Sequence, residues 1–128
     1  MCLTTFGNIK KAETDIMVYK VLLNYGLSHY SPYMTHFEWK VGKINKIKEP
    51  SFFERLRERN ITKTVGSGYF HSYAKKVDAE KLTTLWDDRH SVFSAVIPKG
   101  TWYYEGYDDT TGGPAYASKK LKIVDEVE

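Results

Sequence analysis

A single cysteine, Cys2, stands among 128 residues, so no disulfide closes within the chain. The opening MCLTTFGNIKKAE has neither the apolar core nor the cleavage site of a secretory leader. Both absences point to a reducing cytoplasm. Apolar runs such as Val21–Leu23 and Ala95–Ile97 are far shorter than the roughly 20 residues that cross a bilayer, so no membrane association is expected. The histidines, His29, His36, His71 and His90, form no HxxH or HExxH pair, and one cysteine cannot build a thiolate site, so no metal is expected. No GK[ST] follows Gly66-Ser67-Gly68, which therefore reads as a turn and not a phosphate cradle. Repeats, linkers and low-complexity tracts are missing as well, and residues 1–128 are expected to form one domain.

Aromatic residues are plentiful, at 15% of the chain, and bias it toward strands. Hydrophobic residues at 41% and charged residues at 27% are the proportions of a folded globular chain. IMVYKVLL over 16–23 reads as a buried strand ended by the turn Asn24-Tyr25-Gly26. Residues 36–48 read as one or two strands with Ile44 and Ile47 inward and lysines outward. Ser51 and Glu54 make a capping box for a short helix ending at Asn60. A second helix is expected from an Asp78 cap through Leu85, with Val77 and Leu82 as a hydrophobic staple. VFSAVI, TWYYEGY and AYASKKLKIV read as three further strands, the first two parted by Pro98-Lys99-Gly100 and the last preceded by the loop DDTTGGP. The fold class expected is α+β, a twisted, mainly antiparallel sheet with two short helices.

Candidate chemistry concentrates in a few places. His71 in GYFHSY alternates with Tyr69 and Tyr73 and shares a face with them, a surface suited to stacking a planar ring. With Trp102 and Tyr104 these residues define an expected aromatic cleft, and Lys20 supplies a contact to phosphate. Glu105, followed by Asp108 and Asp109, is the leading carboxylate. Formal charge is only +3, but residues 40–63 hold eight basic residues against three acidic ones. Lys40, Lys43, Lys46, Lys48, Arg55, Arg57 and Arg59 thus make a candidate basic surface. Nucleic acid is not the favoured partner of that surface, since a solvated helix face explains the arginines equally well. Cys2 at the N-terminus reads as an inert packed residue.

The segments MCL, DIMVYKVL, SPY, VGSGYFHSY, AVIPKGTWYYEG and YASKKLKIVDE together resemble a group of small proteins from gut Bacteroidales and the phages that infect them. That resemblance implies a phage accessory protein acting in the host cytoplasm, on a host process or host defence. The order of VYKVL, GSGYFHSYAKKVDA, VFSAVIPKGTWYY and AYASKKLKIVDEV is also similar to the ADP-ribosyltransferase fold, which implies a split-barrel sheet. Tyr19 or Lys20 then stands where that family has His or Arg, and Ala115 where it has its catalytic Glu.

Three functions follow as expectations. The first is a non-enzymatic binding module for a nucleotide-like ligand or a host protein, with no obligatory cofactor and a homodimer as a natural assembly. The second is a mono-ADP-ribosyltransferase or NAD glycohydrolase using Tyr19, His71 and Glu105. The third is an inhibitor that lays its basic surface on a host nucleic-acid-binding protein.

Overall fold

The computed structural model describes residues 3–5, 9–25, 28–31, 34–46, 63–65, 69–83, 90–108 and 111–127. Twelve strands and one helix occur among them. The strands are β1 (Leu3–Thr5), β2 (Lys10–Lys11), β3 (Ile16–Tyr25), β4 (Ser28–Ser31), β5 (Met34–Trp39), β6 (Ile44–Lys46), β7 (Lys63–Val65), β8 (Phe70–Tyr73), β9 (His90–Ile97), β10 (Trp102–Asp108), β11 (Pro114–Ser118) and β12 (Lys120–Glu126). The helix, α1, spans Lys76–Thr83. The result is a mostly antiparallel sheet with one short helix, in the order β6-β12-β9-β3-β8-β11-β10-β1-β7. Off that path, β2 joins β10, and β4 and β5 extend from β3. The helix expected over Ser51–Asn60 lies outside the described residues.

β3 is the spine. It pairs with β9 over eight positions, from Ile16 opposite Ile97 to Leu23 opposite His90. Its other edge meets β8 only where Tyr19 faces Tyr73, and β4 occupies that edge from Leu23 to Tyr25. β11 and β12 are consecutive in the chain yet belong to different arms: β11 pairs with β8 and β10, β12 with β9 and β6. Pairing runs along one open path from β6 to β7, and the covalent bend between β11 and β12 links its two arms across β9, β3 and β8. A single strand had been expected over this last segment. It breaks at Lys119, whose N–H donates to the Trp102 carbonyl and whose ammonium sits 3.9 Å from the centre of the Tyr69 ring.

Alternation on each strand feeds two cores. Val18 and Leu22 of β3 point with Phe70, Phe93, Ala95, Ile97, Leu121 and Ile123 into one cluster, closed by Trp39. Val21 of β3 joins Tyr73, Val92, Tyr104, Ala115 and Ala117 in the other, where Ala79 and Leu82 bring in α1. The three alanines leave room for the helix and the tyrosines to pack.

α1 starts two residues before the expected cap. Asp78 lies in its first turn and Lys81 in its last, each charge suited to its end of the helix dipole. The staple does not form: Val77 is 52% exposed while Leu82 is buried. Inside a helix, residues five apart lie about 140° apart around the axis and cannot share a face. The Asp78 carboxylate instead packs against Gly113, leaving no room for a Cβ there. β6 is also rotated relative to expectation, with Ile44 49% exposed and Asn45 buried. The Asn45 amide donates to the carbonyls of Lys40, Lys43 and Leu121 and accepts from the Lys40 N–H, so one side chain satisfies the turn at Gly42 and the strand beyond it.

Candidate functional site

Register decides which candidate residues meet. His71 pairs with Ala117, and Ala117 with Tyr104, so His71 and Tyr104 share one face. In the next row Ser72 pairs with Tyr116 and Tyr116 with Glu105, which puts Glu105 on the opposite face. Tyr19 pairs with Tyr73 and lies on the His71 side. The trio Tyr19, His71 and Glu105 is thus divided by the sheet.

The rings expected to line an open cleft are packed together. Tyr69 and His71 are each 7% exposed, Tyr73 1% and Tyr104 fully buried. Tyr69 meets Tyr104 edge to face with ring centres 5.3 Å apart. The Tyr73 hydroxyl donates to buried Asp108, whose carboxylate also accepts the Thr111 N–H. Trp102 is half-buried at the margin, with the Lys11 ammonium 5.7 Å from its ring centre. This layer ties Asp108 to Thr111 and seats α1.

Lys20 lies on the other face, where β3 and β8 part. Its ammonium donates to the His71 carbonyl at 2.6 Å and stands 5.4 Å from the centre of the Trp39 ring. It is 6% exposed, and among the described residues no carboxylate forms an ion pair with it. Burial pushes its pKa down to about 7, so the neutral amine is well populated near neutrality. Ser72, one step from the Tyr19–Tyr73 pair, shares that face, and its buried hydroxyl has no hydrogen-bond partner. Both groups are enclosed, and the contact Lys20 makes is with the backbone at the fork.

The same face becomes open at β10, β11 and β2. Tyr103 and Tyr116 are half-buried, with ring centres 5.9 Å apart, and Tyr107 is 53% exposed. Between them the Lys10 ammonium contacts Glu105 at 3.0 Å and stands 5.8 Å from the Tyr103 ring centre. The hydrogen bond from Lys10 to Glu105 holds the Lys10 pKa above its ordinary value. Burial raises the Tyr116 pKa, and the Glu105 charge adds to the rise. Both partners of the ion pair are about half exposed, so it contributes below about 1 kcal/mol and remains available to an incoming group. Lys10, Tyr103, Tyr107 and Tyr116 escape a reading of the sequence alone. Glu105 two residues from each of Tyr103 and Tyr107 is the signal that marks the wet side of β10.

Of the basic residues, Lys40, Lys43 and Lys46 are exposed around β6. Lys48, Arg55, Arg57 and Arg59 lie outside the described residues, as does Cys2. Among the described residues no three of His, Cys, Asp and Glu cluster as metal ligands, and no helix is long and apolar enough to cross a membrane. No protein-family model matches the chain, and no curated protein or solved structure does either.

Proposed function

We propose that the protein is a non-catalytic binding module, a phage-type accessory protein that blocks a host protein with the open face of β2, β10 and β11. The observation that carries this reading is the set of three tyrosines, Tyr103, Tyr107 and Tyr116, around the exposed Lys10–Glu105 pair. Rigid tyrosines with a few charged groups give contact area at low entropic cost, the composition favoured at protein interfaces. An open sheet face suits a protein partner better than a small ligand, which needs a concave site. The passage of the chain from β11 in one arm to β12 in the other, with β3 and β8 parting after one pair, supports the finer reading of a split barrel like that of ADP-ribosyltransferases, with Ala115 in the place of the catalytic Glu. The separation of His71 from Glu105 weighs against transferase or glycohydrolase activity. Affinity capture from host lysate with the wild type and with a Tyr107→Ser/Glu105→Lys variant tests the reading. A host protein held by the wild type should be depleted about tenfold on the variant. Identical captured sets would sink it, and transfer of label from NAD to lysate proteins would restore the enzymatic alternative.

A further inference from the structure

A second surface, on the other arm, has a different chemistry. Across β3, β9, β12 and β6 the register sets Met17 opposite Val96, Val96 opposite Lys122, and Lys122 opposite Ile44. Direct cross-strand partners point to one side, so these four form a row on the outer face. α1 covers this side of the sheet near Tyr19, Val21 and Val92 and leaves the row uncovered: Met17 is 63% and Ile44 49% exposed, and Lys122 is exposed. In the next row Lys120 stands directly opposite Lys46. Like charges opposed across a ladder destabilise a sheet, and here they are joined on that face by Lys122, two residues along, with Lys43 exposed in the turn before β6. Asp15 and Asp125 bound the patch on its far sides. Lys120 and Lys122 are distant in sequence from Lys43 and Lys46, so this grouping is a product of the fold.

We infer that this face, Met17, Val96 and Ile44 with Lys46, Lys120 and Lys122, is a docking surface for an acidic polypeptide segment that presents carboxylates and apolar side chains together on one side. Charge complementarity selects the acid. The apolar row selects polypeptide over nucleic acid, since a sugar-phosphate backbone would set three hydrophobic side chains against charge and the row holds no ring to stack a base. An extended peptide repeats on one side about every 6.6 Å, which matches the two-residue step from Lys120 to Lys122. The surface is separate from the tyrosine face and does not depend on it.

The test is fluorescence anisotropy with a labelled synthetic peptide of the repeat Glu-Glu-Leu-Leu, which in extended form sets glutamate and leucine in turn along each side, run against the intact chain. The wild type should bind, more weakly as salt rises, and Lys46→Glu/Lys122→Glu should weaken binding about tenfold or more. Lys75→Glu, an exposed charge reversal away from this face, should leave it unaltered. Ile44→Ser should lower affinity at high salt, where the charges are screened, and it keeps the test alive if the double reversal misfolds by circular dichroism. Absence of peptide binding, equal binding by Lys46→Glu/Lys122→Glu, or tighter binding of a single-stranded oligonucleotide would overturn the proposal. So would self-association of the wild type in sedimentation that Ile44→Ser abolishes, because the face would then be a dimer contact.

Discussion

Lys20 shows how one residue links burial to pH. Its pKa falls from the ordinary 10.5 to about 7 in the folded chain through desolvation. Between those two values the unfolded chain holds a proton that the folded chain has released. Stability contributed by this site therefore rises with pH across that window, and below about pH 7 the folded state bears the full cost of a buried charge. Lys20→Met removes the charge together with the donor to His71. Relative to wild type, the variant should be most stable near pH 6 and lose that advantage as pH climbs toward about 10, as read by urea unfolding at several pH values. Parallel curves for the two proteins would refute the assignment. The sequence marked Lys20 as notable, but not why. A lysine between Tyr19 and Val21 reads as a contact for phosphate, and only the parting of β3 from β8 shows that it reaches for a backbone carbonyl.

At the scale of elements, periodicity was legible where one face is apolar and the other polar. Leu121 and Ile123 are buried and Lys122 exposed, as their alternation implies. It misled where hydrogen bonding outweighs hydrophobicity. In β6 the amide of Asn45 ties down four backbone groups, and this turns Ile44 outward. Asn45→Ala leaves those carbonyls without a donor and should cost about 1–3 kcal/mol in denaturant unfolding, with faster amide exchange along Lys40–Lys46. Asn45→Asp, which keeps the acceptor and loses the donors, should recover only part of the loss. β10 misled in another way: Trp102 and Tyr104 on one side, Tyr103 and Tyr107 on the other, are aromatic alike, so composition alone could not say which side faces water. The start of α1 was misplaced for a related reason, because the cap signal at Asp78 competes with a buried contact to Gly113.

At the scale of the whole molecule, the two arms of the described sheet are joined by the bend at Lys119. β11 pairs in one arm and β12 in the other, and each arm holds its own buried cluster. Trp39 sits in the cluster built around Val18, Leu22 and Phe93, and Trp102 packs against the cluster under α1, so each reports on a different layer. Variants keeping one of these tryptophans should unfold with the same midpoint in urea, since neither layer can lose its strands while the other keeps them. Two separated transitions would show that the arms are independent. The mainly antiparallel α+β character was readable from strand-like segments and turn chemistry. The joining of the two arms was not, because it depends on one residue pair, Tyr19 with Tyr73, and on a corner that no turn residue announces.

The division of β10 between an inner and an outer layer bears on how this gene can change. Replacing a tyrosine on either side alters one layer and leaves its neighbour in place, but inserting or deleting a single codon within the strand, just after Trp102, would exchange the two beyond it, sending Glu105 inward and Tyr104 into water. This strand should tolerate substitution far better than slippage, and variation in its length should be confined to the turns at its ends.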